Sequence, residues 1–172
     1  METQTVSSSS SSSTPYWKYD VFINFRGTDI RHGFIGHLSK AFERNGIIFY
    51  KDDINLPRGN SIEPDLFKSI EESKFAIVVL STNYANSTWC LTELEKIVER
   101  MKQNKLTILP VFYHVNPSDA RNQMGILATR DRTFAEAFAE HEKRFNIKQL
   151  QVWKAALKEV GNIAGWHVQQ HR

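Results

Sequence analysis

Apolar residues run along this chain in two alternating rhythms. Tyr19–Phe25 (YDVFINF) is dense in aromatic and β-branched residues and ends at Arg26-Gly27, which predicts a strand. Ile30, Phe34, Leu38, Ala41 and Phe42 then recur at spacings of three and four, which predicts one helix stopped at Asn45-Gly46. Ile47–Tyr50 reads as a second short strand. Lys51–Asn60 carries Asp52, Asp53, Asn55, Pro57 and Gly59, which is loop chemistry. Ser61 is placed to cap a helix with Ile62, Leu66 and Ile70 on one face, and Pro64 fits only in its first turn. Phe75–Leu80 (FAIVVL) has no alternation at all, so it predicts a strand buried on both faces. Leu91, Leu94, Ile97, Val98 and Met101 predict the next helix. Leu106–Val115 predicts a fourth strand, with Pro110 as a blemish. Phe134, Phe138, His141 and Phe145 suggest another helix, and Leu150, Trp153, Leu157 and Val160 a last one ending near Gly161 or Gly165. A fifth strand has no clear signal, and the segment between Asp119 and Thr133 is where a short one is expected.

Strands and helices in strict alternation imply right-handed βαβ units, hence an α/β fold with a parallel sheet and helices on both faces. The common small version is flavodoxin-like, with strand order 2-1-3-4-5 and a ligand crevice beyond the carboxyl ends of strands one and three. The length of 172 residues suits one domain with a real core. Residues 1–15 read as a disordered leader around the serine run Ser7–Ser13, residues 16–167 as the domain, and 168–172 as a tail or the start of a linker. That leader holds no apolar stretch of the secretory kind. The longest strongly apolar run, Phe75–Leu80, is far short of the roughly 20 residues of a membrane span. The single cysteine, Cys90, excludes an intrachain disulfide framework and a cysteine-based zinc cage, which is compatible with a reducing compartment. A net charge of +3 is too small to announce nucleic-acid binding.

Chemistry collects where the crevice is expected. Strand one delivers Arg26, Gly27 and Arg31, the loop after strand two delivers Arg58, and strand three leads into Ser87, Trp89, Cys90 and Glu93. Arginines fit phosphate oxygens, an indole stacks on a flat ring, and a carboxylate holds ribose hydroxyls or stabilises a developing cation. Together they suggest a phosphorylated nucleoside. Each residue also has a plainer role. Glu93 can answer the positive end of its helix, Trp89 and Cys90 can be core packing, and Arg31 and Arg58 can be solvated surface groups. The acids Asp52 and Asp53 read as a solvated turn more readily than a cation site.

Other chemistries lack their residues. Neither the P-loop nor the dinucleotide-fold glycines occur, and there is no G-x-S-x-G elbow or H-E-x-x-H pair. A phosphoaccepting receiver domain would want acids after strand one and an Asp ending strand three; Asn24-Phe25-Arg26 and Leu80-Ser81 stand there instead.

Four ordered blocks carry a more specific resemblance: Tyr19–Gly27 (YDVFINFRG), Leu56–Gly59 (LPRG), Ser87–Leu94 (STWCLTEL) and Leu109–Asp119 (LPVFYHVNPSD). They resemble the signature blocks of plant TIR domains, found at the N-terminus of one class of plant intracellular immune receptors. Phe134–Glu142 and Trp153–Leu157 are similar to that family too, so the likeness spans about Tyr16–Trp166. The resemblance implies the flavodoxin-like fold and an NAD+ glycohydrolase activity, in which NAD+ or NADP+ is substrate rather than cofactor and nicotinamide and ADP-ribose-type signals are products. Carried over block by block, Glu93 is the catalytic carboxylate. Ser87, Trp89 and Cys90 line the pocket, and Arg26, Gly27, Arg31 and Arg58 lie near the dinucleotide phosphates. Lys51–Asn60 corresponds to the family's mobile BB loop.

The family's activity depends on self-association, with homotypic or heterotypic TIR partners in dimers or tetramers. One interface uses the first helix and usually carries a Ser-His pair, where this chain has Gly36-His37. The resemblance further implies a cytoplasmic or nuclear setting, no membrane partner, no bound metal, and nucleotide-binding and leucine-rich-repeat regions in a full receptor. The chain ends just past Trp166, where that nucleotide-binding region would follow, so it reads as a piece of a receptor or a stand-alone domain. The alternative function is a TIR module that assembles with other TIR domains without catalysis. A third, nucleic-acid hydrolysis or cyclic-nucleotide synthesis, has little support from the modest charge.

Overall fold

The computed structural model describes residues 17–51, 64–123 and 134–169. Five parallel strands form one sheet in the order β2-β1-β3-β4-β5. They are β1 (Tyr19–Asn24), β2 (Phe49–Lys51), β3 (Ser73–Leu80), β4 (Thr107–Tyr113) and β5 (Trp166–Val168). The helices are α1 (Thr28–Arg31), α2 (Phe34–Arg44), α3 (Pro64–Glu71), α4 (Thr88–Lys102), α5 (Pro117–Asn122), α6 (Phe134–His141) and α7 (Ile147–Gly161), with a short 3-10 turn at Tyr84–Asn86. The expected strand order and the layers of helix on both faces are both present.

The strand period of two divides the core. Phe22 of β1, Ala76, Val78 and Leu80 of β3, and Ile108 and Phe112 of β4 face one side, where buried residues of α3 to α7 cover them. Val21 and Ile23, Ile77 and Val79, and Val111 face the other, beneath Ile30 of α1 and Ile35 of α2. Central strands covered on both sides have no reason to alternate, which is why Ala76–Leu80 is apolar and buried throughout.

Two expectations are corrected. The single helix expected over Ile30–Phe42 is two, broken at His32-Gly33. Gly33 has φ −93 and ψ −104, outside the helical region, and its low helix propensity makes it the weak link. The apolar spacing of four from Ile30 to Phe34 simply bridges the break. The fifth strand is Trp166–Val168, beyond the last helix. Between Asp119 and Thr133 the described part, up to Gln123, is the end of α5, and 124–133 lie outside the described residues, as do Ser61 and the loop from Asp52 to Asn60.

The position of β5 explains Pro110. The first β4–β5 pair is Val111 with Trp166, one residue after the proline. A Cβ on Gly165 would stand 2.3 Å from the Pro110 carbonyl oxygen, so that carbonyl points toward the β5 side. A strand residue presents its N–H and C=O to the same side, so the N–H that proline lacks falls where β5 has not begun. Beyond it, α2 ends at Asn45-Gly46 and α7 ends at Gly161, as the sequence predicts.

Candidate functional site

The order 2-1-3 makes β1 the strand where the sheet's direction of growth reverses, and such switch points open a crevice at the strands' carboxyl ends. Asn24 is the last residue of β1, and β3 ends at Leu80 before the turn that carries Tyr84. Helix α4 starts at this level. Its N-cap Ser87 accepts a hydrogen bond from the Cys90 backbone N–H at 3.2 Å. Trp89 and Glu93 then stand four residues apart and share one face of α4.

Glu93 is 2% exposed. Asn24 Nδ2 donates to its Oε2 at 2.6 Å, and the Trp89 indole Nε1 donates to its Oε1 at 2.9 Å. A carboxylate this deep must be hydrogen-bonded, and here both oxygens are. Trp89 is only half-buried, packed against the larger apolar cluster. Its alternatives in the sequence were core and ligand platform; in the structure its ring borders the core while its N–H serves the carboxylate.

Behind Glu93 lies a buried polar group that the motifs did not single out. Tyr84 is fully buried, and its hydroxyl donates to Asn24 Oδ1 and lies 3.2 Å from the Cys90 carbonyl oxygen. Burial, with the nearby Cys90 and Glu93, pushes the Tyr84 phenol well above its ordinary value, against a smaller opposing effect of the Asn24 hydrogen bond. It therefore stays a neutral donor. Cys90 is buried, and its Sγ donates to the Phe25 carbonyl oxygen at 3.3 Å. One sequence signal could have found Asn24: a polar residue closing an apolar run that is buried on both faces must have a buried partner.

Arg26 and Arg31 reach the same edge of the sheet on different partners. Arg26 Nη1 donates to the Asn83 carbonyl oxygen at 3.0 Å, tying the end of β1 to the turn before Tyr84. Gly27 has φ +113, a backbone shape closed to most side chains, and lets the chain turn from Arg26 into α1. The Arg31 guanidinium lies 5.6 Å from the centre of the Phe25 ring, and Arg31 also lines an open cleft of about 450 Å³ with Gly36, His37, Lys40 and Lys51. Gly36 and His37 thus sit on α2, away from the hydrogen bonds around Glu93, with His37 exposed. Arg58 lies outside the described residues. Among the described residues no three His, Cys, Asp or Glu side chains gather as a metal site would, and no helix is long and apolar enough to cross a membrane.

Comparison with known proteins places this geometry in context. The profile of the TIR domain family matches residues 18–172. Disease resistance protein RPV1 of Vitis rotundifolia is 45% identical over 99% of this chain, and TMV resistance protein N of Nicotiana glutinosa is 46% identical over 91% of it. The matches take up 12% and 13% of those proteins, so the chain spans about an eighth of the curated relatives' length. Among solved structures, the TIR domains of the activated Roq1 resistosome, which directly recognises the pathogen effector XopQ, superpose with a TM-score of 0.75 at 44% identity, covering 87% of each chain.

Proposed function

The chain belongs to the TIR-domain family, and from that premise we propose that it is an NAD+-cleaving signalling domain acting in plant immunity after self-association. The observation that supports the reading best is the carboxylate of Glu93, buried at the switch point with an amide on one oxygen and an indole on the other.

In NAD+ the nicotinamide nitrogen carries positive charge, so the ring leaves neutral and needs little help from an acid. The barrier lies in the ribose, which becomes oxocarbenium-like as the bond breaks. A fixed carboxylate stabilises that charge most where it need not reorganise. Asn24 and Trp89 orient the two oxygens of Glu93, the atoms that would meet the ribose hydroxyls. One carboxylate suffices, whereas sugar hydrolysis with a poor leaving group uses two. Trp89, half-buried beside it, would border the sugar, and once nicotinamide has left, water adds to the ribose C1 and gives up its proton to solvent, which yields ADP-ribose. Arg26, Gly27, Arg31 and Arg58 would serve the phosphates, with Ser87 and Cys90 shaping the α4 end of the pocket.

The resistance-protein relatives and the resistosome TIR structure support the immune setting and the assembly. In the full-length relatives' context, other TIR domains are the expected partners, through the α2 face with Gly36 and His37. The test is chromatographic. Concentrated protein should release nicotinamide from NAD+, and Glu93→Ala should lose at least about a hundredfold of that rate while its circular dichroism is unchanged. Equal turnover in a folded variant would remove Glu93 from the chemistry. A protein that assembles yet leaves NAD+ intact would favour the non-catalytic module instead.

A further inference from the structure

We propose that Asn24 and Tyr84 are positioning residues for Glu93: the Tyr84 hydroxyl anchors the Asn24 amide oxygen, and the amide NH2 holds one carboxylate oxygen in place. This rests on the reading of Glu93 as the catalytic carboxylate.

An asparagine amide has two faces of nearly equal shape, one accepting and one donating. Here the choice has a cause. The Tyr84 hydroxyl donates to Oδ1, so the NH2 faces Glu93 Oε2 at 2.6 Å. Turned over, the amide oxygen would meet a carboxylate oxygen at that distance, acceptor against acceptor, and the Tyr84 hydroxyl would have to turn to the Cys90 carbonyl oxygen at 3.2 Å, so the carboxylate excludes the flip and the hydroxyl fixes the amide from its other end. The three residues come from three elements: Asn24 from the end of β1, Tyr84 from the turn after β3, Glu93 from α4. Asn24 and Tyr84 are both fully buried, and neither is exposed to a substrate. The hold on Oε2 is therefore internal, whereas the hold on Oε1 comes from the half-buried Trp89. A substrate that displaced the indole would still meet a carboxylate fixed from behind. Burial keeps the phenol protonated, so the device does not switch off near neutral pH.

Asn24→Asp tests this with almost no change of shape. It sets a second carboxyl group beside Glu93, with Tyr84 and Cys90 as the ionisable groups that face the pair among the described residues. Two buried carboxyl groups in contact share one proton. While the proton is present, the O–H of Asp donates to Glu93 as the amide did. As pH rises the proton leaves, and two like charges repel. The expected result is nicotinamide release near the unmodified protein's rate at acid pH, falling at least about tenfold as pH rises, a limb the unmodified protein lacks. Tyr84→Phe removes only the hydroxyl. It should lower kcat by about tenfold with KM within about twofold, because neither residue reaches the substrate.

A wild-type pH profile in Asn24→Asp, or a Tyr84→Phe effect confined to KM, would overturn the proposal. If Asn24→Asp does not fold, Tyr84→Phe carries the test alone. If the unmodified protein releases no nicotinamide, the NAD+ reading fails by itself. The positioning is then read by carbon NMR of protein labelled at the glutamate carboxyl. Glu93 should titrate at higher pH in Asn24→Asp than in the unmodified chain, and an unchanged titration would contradict the arrangement.

Discussion

A tyrosine with no exposed surface normally needs a reason for its hydroxyl, and Tyr84 has one in Asn24 and the Cys90 carbonyl. The same burial has a thermodynamic consequence. The folded Tyr84 holds its proton more tightly than the unfolded side chain, whose ordinary value is 10.0. Its contribution to stability is fully present below that value and is lost as pH rises above it toward the folded value, because the unfolded chain then sheds the proton more easily. The urea midpoint of the unmodified protein should therefore fall more steeply across this range than that of Tyr84→Phe. Parallel pH dependences would mean that the phenol ionises as freely in the fold as outside it. The sequence flags Asn24 only as a polar residue closing a buried run, and it does not pair Asn24 with Tyr84 or with Glu93. Their contacts with each other and with Glu93 span 60 and 69 residues, distances at which local spacing carries no information. Glu93, Trp89 and Ser87 could be singled out together because they lie within one helix end.

At the scale of elements, β5 is where prediction from pattern fails for a physical reason. A strand of three residues cannot display a period of two, and Trp166 and His167 are exposed. What locates it is contact rather than pattern: Gly165 approaches the backbone of Pro110 so closely that no side chain fits. Gly165→Ala should cost about 3 kcal/mol, measured by urea unfolding, since backbone must shift on one strand or the other. A loss below about 0.5 kcal/mol would mean that β5 is free to move away. The division of the first helix has a similar cause. Gly33 interrupts the backbone while leaving the apolar spacing intact, so the stripe Ile30, Phe34, Leu38 spans two helices without a visible gap. The long elements β1, β3, β4, α4 and α7 were readable because each places several residues in the core at its own period.

For the molecule as a whole, the parallel sheet and its layers followed from alternation, the strand order from the common small version of that fold, and the four signature blocks identified the family that the profile match bears out. The arginines show the limit of such reading. Arg26 and Arg31 do arrive at one edge of the sheet, but one grips the Asn83 carbonyl and the other lies against the Phe25 ring and lines the α2 cleft. Assembly is the property expected to bring such surfaces together. His37 stands exposed on α2, so it is available to a neighbouring domain without disturbing the core. Turnover per molecule should rise with protein concentration, and His37→Ala should shift that rise to higher concentration while leaving the melting temperature within about a degree. Light scattering on the same samples reads the assembly directly, and identical concentration curves would exclude His37 from it.

The central claim is that one buried carboxylate at the switch point cleaves NAD+. Its most direct test is the amount of nicotinamide formed per NAD+ consumed, by the unmodified protein and by Glu93→Gln at matched concentration, with folding checked by melting temperature. One nicotinamide for each NAD+ lost, and almost none from the folded Gln variant, is the predicted result. NAD+ left intact by protein that is folded and assembled, or the same release from both proteins, would contradict it.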